Sequence, residues 1–543
     1  MDARHRQWMA AWLRTGVAIG VMAAVACGAD AADEPSESTA DPPAVSGTGS
    51  DDAEVRRARS TATVDGIVVD GPLAANAESY PFGAADHLMV PMDLAAMGYV
   101  EEEFIVRGAA NVYDWPEGSR EAKVRTSNAP YATRVLVRRP AAAQHFSGNA
   151  IVELLNPTNL IDLEIGWALS HEQFVRNGDA WVGVTSKPIA VRALQAFDPE
   201  RYADLSWANP EPDVDEAACQ LAADSDPATE DGLAWDIFSQ VGAVLRDEVG
   251  ATKLVGASTD HIYGFGYSQS GGMLHTYMTA VHPLAMAARG EPIYDGFLSA
   301  TFGGVAPIRQ CATALPTSDP RSNATDVGVP LIKINSQTDT RTLYWARKPD
   351  ADTALERFRL YEVPGAGHAT AAEVEYGPAP DDVTQADVTP PPTVCGMYPR
   401  SRFPLGVVFN AAFAHLDAWV RAGTAPPPGR VISVVESDEP GALGGVVVEL
   451  DEFGNALGGV RLPQLVAPTS QWFASSPAGG SLICFLSGYE VPFEAERLAA
   501  LYSDHDSYVA QVEAAATQLT SDGYLLAQDR DALVAQASAA MVP

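Results

Sequence analysis

From about residue 60 onward, short apolar and β-branched runs alternate with stretches of helical periodicity. Runs at 132–138, 150–155, 180–185, 261–266, 296–301, 329–335 and 357–363 predict strands. Their hydrophobicity is nearly continuous rather than alternating, the pattern of strands buried on both faces of a parallel sheet. Apolar residues spaced three and four apart predict helices over 164–176, 235–249, 271–281, 340–347 and 404–422. This alternation predicts an α/β fold with a mostly parallel, doubly wound sheet.

Two segments break the rhythm. Residues 198–232 contain eleven acids, one base (Arg201) and several prolines, too long for a plain connection, and read as an acidic cap-like insertion or lid. Asp213, Asp215, Asp224 and Asp226 bring a calcium site to mind, but the spacing lacks the Gly and terminal Glu of an EF-hand loop, so a solvated excursion is the favoured reading. Beyond residue 422, Gly and Pro rise. Residues 444–463 predict a hairpin turning at Gly454 and Asn455, and helical periodicity returns after Phe493. The expected division is 60–422 for a catalytic domain and 423–543 for a hairpin and helical extension packed on it.

The chain's 543 residues, 47% of them hydrophobic, suffice for a large core. A net charge of −35 excludes a general nucleic-acid binder, since phosphate is repelled over most of such a surface. That charge is unevenly spread. Eight acids and no base fall in residues 28–55, so with the insertion nineteen of the 70 acids lie outside the expected catalytic core. An acidic lid would disfavour anionic substrates.

The N-terminus predicts export. Arg4, Arg6 and Arg14 precede an uncharged run to Ala26, too short to span a bilayer, making residues 1–26 an export signal. Ala24-Val25-Ala26-Cys27 resembles a bacterial lipobox, with Ala24 where Leu is usual; Cys27 is thus a candidate lipidation site, and ordinary cleavage is the alternative. Residues 27–59 read as an acidic disordered tether. The expectation is an envelope lipoprotein tethered to the membrane through Cys27, or a secreted or periplasmic protein. In that setting Cys219, Cys311, Cys395 and Cys484 allow two disulfides in three pairings, and the absence of CxxC spacing argues against structural zinc.

The candidate chemistry sits just past strand ends. Gly266-Tyr267-Ser268-Gln269-Ser270-Gly271-Gly272 follows the 261–266 run and opens a helix, as a nucleophile elbow does. Such a turn needs small residues two before and two after the nucleophile. Gly266 and Ser270 meet that need around Ser268; Ser270 is the competing choice. Asp339 follows the 329–335 run, and His368 closes a Gly-rich turn after 357–363. The order Ser, Asp, His and the location at strand C-termini suit a triad in which a base activates a weak hydroxyl nucleophile. An oxyanion hole would use the N–H of Gln269 and one from the 156–159 loop, where Pro157 has none, leaving Asn156 or Thr158.

Eight ordered stretches carry a resemblance to the bacterial α/β-hydrolase domain proteins. They are APYATRVLVRRPA (129–141), IVELLNPTN (151–159), DIFSQVGAVLR (236–246), GYSQSGG (266–272), VPLIKINSQTD (329–339), YEVPGAGH (361–368), GTAPPPGR (423–430) and GNALGGVRLP (454–463). The resemblance implies an α/β-hydrolase fold and esterase-like activity, with Ser268, Asp339 and His368 as the matching site positions. The acidic insertion and Leu154-Leu155 depart from the pattern. The expected function is an exported serine hydrolase of small-molecule carboxylic esters, with no metal or cofactor, no nucleic acid and no protein partner. Amidase, peptidase or acyltransferase chemistry on the same triad is the alternative, as is a catalytically silent ligand-binding lipoprotein.

Overall fold

The computed structural model describes residues 61–212, 226–438, 443–476 and 482–543. The expected export signal, Cys27 and the tether lie outside the described residues, as do Cys219, Asp213, Asp215 and Asp224.

Eleven strands form one mixed sheet: β1 (Thr61–Val64), β2 (Ile67–Asp70), β3 (Tyr99–Asp114), β4 (Lys123–Pro140), β5 (Asn149–Leu154), β6 (Ala180–Val184), β7 (His261–Tyr267), β8 (Gly296–Ala300), β9 (Pro330–Ser336), β10 (Ala351–Asp352) and β11 (Arg357–Val363). Their spatial order is β1-β2-β3-β4-β6-β5-β7-β8-β9-β11-β10. The run β6-β5-β7-β8-β9-β11 is parallel throughout. All seven strands expected from the sequence are present. The antiparallel first three were not anticipated. Long β3 carries Glu101, Glu102, Glu103 and Arg107, charges that disguise a strand whose Phe104, Ile105 and Val106 are buried.

Alternate residues of the sheet feed two cores. One holds Val137, Val152, Ile262, Phe297 and Leu331 under helix α3 (Ala234–Arg246); the other holds Leu136, Ile151, Phe265, Leu298 and Ile332 under helices α1 (Ile165–Asn177) and α5 (Gly406–Ala422). Helix α2 (Pro188–Phe197) lies on the first face, with Pro188 opening it where no intrahelical N–H is needed. Covering both faces makes the strands read as apolar runs.

A buried ionic network ties the antiparallel edge to the centre. Glu103 on β3 accepts from Arg134 Nε on β4 at 2.7 Å, from Arg201 Nε at 2.5 Å and from the Tyr202 hydroxyl at 2.8 Å. Arg134 also reaches Asp162 at 3.3 Å, and Asp162 accepts from the Thr185 hydroxyl at 2.5 Å. Removing one partner of such a network leaves charge desolvated and unpaired. Glu103→Gln is therefore expected to lower unfolding stability by about 3–5 kcal/mol, measured by urea denaturation; an unchanged midpoint would show the network to be dispensable.

Two sequence expectations need correcting. No helix runs over 340–347. A single turn, Gln337–Thr340, is followed by a 3-10 turn at Tyr344–Ala346, and Leu343 between them leaves the helical region (φ −106°, ψ 9°). Leu343, Trp345 and Ala346 instead crowd around Gly303, so tertiary packing overrides the local periodicity. The hairpin turn near Gly454 is wider than a two-residue turn. Asp451 N–H donates to Asn455 O at 2.8 Å, Asp451 Oδ1 accepts from the Phe453 and Asn455 N–H groups, and Gly454 takes φ +79°. Strands Val434–Glu436 and Val446–Val448 pair just before it.

The described ends of the acidic insertion pack on β4. Ser206 exchanges backbone hydrogen bonds with Ala132, and Glu211 accepts from Arg125 Nε at 2.9 Å. Asp226 accepts from the Ala228 N–H and from Arg192, and no group of metal-ligating residues occurs among the described residues.

Candidate functional site

The sequence-predicted trio converges at the carboxyl edge of the parallel strands. Ser268 stands between β7 and helix α4 (Gln269–Thr276), with φ +56° and ψ −119°. A positive φ is costly for a residue with a Cβ and persists only where surroundings enforce it. Here the Ser268 N–H donates to Ala300 O at 2.9 Å and to Thr301 Oγ1 at 3.1 Å, holding the turn to β8. A Cβ on Gly266 would lie 2.4 Å from Ser270 O, which is why the elbow needs a glycine two residues before the serine.

His368 Nε2 lies 2.8 Å from Ser268 Oγ, and His368 Nδ1 lies 2.8 Å from Asp339 Oδ1. The competing Ser270 is fully buried, and its hydroxyl both accepts from Tyr267 N–H and donates to Tyr267 O, at 3.1 Å each. It has no route to the imidazole. Asp339 is fixed from below: its Oδ2 accepts from the Ser336 N–H at 3.1 Å and the Ser336 hydroxyl at 2.7 Å, a capping box at the end of β9.

The imidazole is held by more than Asp339. His368 N–H donates to Thr338 Oγ1 at 3.0 Å, and His368 O accepts from the Tyr267 hydroxyl at 2.5 Å. Ala369 N–H donates to Leu486 O at 3.0 Å, and Ser401 N–H to Gly488 O at 2.7 Å. The C-terminal extension therefore reaches into the site. Sequence reading missed Tyr267, Thr338 and the 486–488 segment. Only the Ser336-x-x-Asp339 spacing, a capping signature, gave any signal for this support.

Burial alone would lower the His368 pKa; the Asp339 carboxylate and its hydrogen bond outweigh it, so the value sits above that of an ordinary histidine.

The 156–159 loop does not present the expected backbone donors. The Asn156 N–H donates to Leu163 O at 2.9 Å, and the Thr158 N–H donates to Asn156 Oδ1 at 2.8 Å. Both are engaged in closing the loop on itself, and the Asn156 side chain ties it to Tyr267 O at 2.6 Å. The Thr158 hydroxyl is engaged too, donating to Gln269 Oε1 at 3.3 Å. Gln269 opens α4, where backbone N–H groups have no intrahelical partner.

A pocket opens from Ser268 and His368. Its walls are mainly apolar, with Ile161, Leu163, Ile165, Val374, Ile483 and Leu486 among them. Among the described residues, none of 198–232 lines it and its cover comes from 373–400 and 483–486. Cys395 and Cys484, one from each of these segments, form a disulfide. Cys311 is disulfide-bonded as well.

A family model described as "Alpha/beta hydrolase domain" matches residues 69–535. Among solved structures, an esterase from Pyrobaculum calidifontis aligns at 11% identity and TM-score 0.27, covering 52% of this chain and 83% of that one. A poly(3-hydroxybutyrate) depolymerase from Bordetella parapertussis aligns at 14% identity and TM-score 0.25, covering 55% and 88%. No curated protein matches the sequence.

Proposed function

Because the chain belongs to the α/β-hydrolase domain family, we propose that it is a serine hydrolase of carboxylic esters, working through Ser268, His368 and Asp339. The observation that carries this reading is the pair of 2.8 Å contacts joining Ser268 Oγ, His368 and Asp339 Oδ1. His368 Nε2 removes the hydroxyl proton as Ser268 Oγ attacks the ester carbonyl, then returns it to the leaving alcohol; water repeats the sequence to release the acid. Asp339 keeps the Nδ1–H tautomer and stabilises the imidazolium. The Gln269 N–H, at the opening of α4, is the donor assigned to the tetrahedral oxyanion. The apolar pocket suits an acyl or alkyl chain. Export is part of the same proposal, and the Cys395–Cys484 disulfide supports an oxidising compartment.

The test is labelling with a fluorophosphonate together with p-nitrophenyl ester turnover. Labelling at Ser268 that extinguishes turnover is expected; folded protein that neither labels nor turns over esters would favour the ligand-binding alternative.

The raised His368 pKa sets a pH dependence. The imidazole acts as a base only when neutral, so a pKa above 6.5, the ordinary value, moves the loss of activity on the acid side upward. The acid limb of kcat/KM is expected to reach its half-maximum above pH 6.5; a midpoint below that value would contradict the Asp339–His368 coupling.

A further inference from the structure

Within the pocket that opens from Ser268, two charged side chains interrupt the apolar walls: Arg400 and Glu373. Arg400 is only 5% exposed. Its Nε donates to Pro392 O at 3.0 Å, while its buried Nη2 has no hydrogen-bond partner. Glu373 is half engaged in the same way. Its Oε2 accepts from the Thr370 N–H at 2.7 Å and the Thr370 hydroxyl at 2.6 Å, and its buried Oε1 has no partner. A buried polar group without a partner is costly, and native proteins retain few of them. Here a donor and an acceptor stand unsatisfied on two residues that line the same pocket as the nucleophile.

The chemistry of that pair limits what fits. An alkyl chain satisfies neither atom and leaves both desolvated. A carboxylate accepts from Arg400 but sets like charge against Glu373. A hydroxyl group does both jobs at once: it accepts from Arg400 Nη2 and donates to Glu373 Oε1. Building on the ester-hydrolase reading of Ser268, we propose that Arg400 and Glu373 form a hydroxyl-reading subsite, and that the preferred substrates are esters with an apolar body bearing a hydroxyl. The environment agrees with this division. Burial pushes the Glu373 carboxyl above its usual range and the Arg400 guanidinium below its own, so neither is solvated as a surface charge is.

The hydroxyl can belong to the acyl or to the alcohol half of the ester, and matched substrates separate the two. One arm compares p-nitrophenyl hydroxyalkanoates with alkanoates of equal length. The other compares hydroxyalkyl with alkyl esters of one acid. The wild-type enzyme is expected to prefer the hydroxylated member of at least one arm by about 10–100-fold in kcat/KM, from the cost of leaving the two atoms unpaired. Arg400→Met and Glu373→Leu are each expected to bring that ratio close to one, chiefly through KM. Glu373→Gln, which retains an acceptor oxygen, should keep more of it than Glu373→Leu. Ratios near one in both arms for the wild type, a ratio unchanged in Arg400→Met, or a stronger preference for carboxylate-bearing esters would each overturn the subsite. The wild-type comparison needs no variant to fold. Failure of the ester-hydrolase reading itself looks different: no fluorophosphonate label and no turnover of any member of either arm.

Discussion

Ser268→Ala is expected to lower ester turnover by a factor on the order of 10^4–10^6 in kcat, the range in which loss of a triad nucleophile falls. The fold should survive. The Ser268 side chain is engaged by His368 Nε2, whereas its backbone N–H is bonded to Ala300 O and Thr301 Oγ1, contacts that alanine preserves. The neighbouring Ser270 is no substitute, being buried with its hydroxyl bonded to the Tyr267 backbone. The measurement is p-nitrophenyl ester hydrolysis beside a thermal melt. A folded variant retaining more than a hundredth of wild-type kcat would place the nucleophile elsewhere.

Asp339→Asn is the second large effect, a loss of about 10^4 in kcat, the scale seen when a triad carboxylate becomes an amide. The reason is visible in what surrounds both carboxylate oxygens. Oδ1 faces His368 Nδ1, and Oδ2 accepts from the Ser336 N–H and hydroxyl. An amide can satisfy only one side. With its oxygen toward Nδ1, its NH2 confronts the Ser336 N–H donor; with its NH2 toward Nδ1, it imposes the tautomer whose proton sits on Nε2, where the base must be free. The acid limb of the pH profile should fall at the same time, since the carboxylate that raises the His368 pKa is gone. A variant with near wild-type kcat and an unmoved acid limb would remove Asp339 from the mechanism.

Much of this arrangement is legible in the amino-acid sequence, for identifiable reasons. Parallel strands buried on both faces leave uninterrupted apolar runs, so β4 to β9 and β11 could be read from composition alone. Reactive groups of such sheets sit just beyond strand ends, so Ser268, Asp339 and His368 could be picked by position. The long strand β3 was opaque because its apolar residues are interleaved with buried charge, Glu103 pairing with Arg134 and Arg201. Strands β1 and β2, at four residues each, are too short to carry a pattern. The backbone donors assigned to Asn156 and Thr158 failed because a loop's internal hydrogen bonds, here to Leu163 and to the Asn156 side chain, leave no periodic trace. No described residue of the acidic insertion lines the pocket, and residues 213–225 lie outside the described residues. Among the described residues the cover combines 373–400 with 483–486, segments distant in sequence and joined by Cys395–Cys484, a pairing no local pattern announces.

That junction bears on how the protein comes into being. A ribosome makes Ser268, Asp339 and His368 long before it reaches Leu486 and Gly488, whose carbonyls tether Ala369 and Ser401. At ordinary elongation rates the interval is roughly ten seconds. Throughout it, the nascent chain carries a nucleophile, a base and an acid, yet its imidazole loop lacks these tethers and its pocket lacks one wall. A product cut short before residue 482 would remain in that state permanently. Synthesis of the last part of the chain is thus the step at which three reactive side chains become a site.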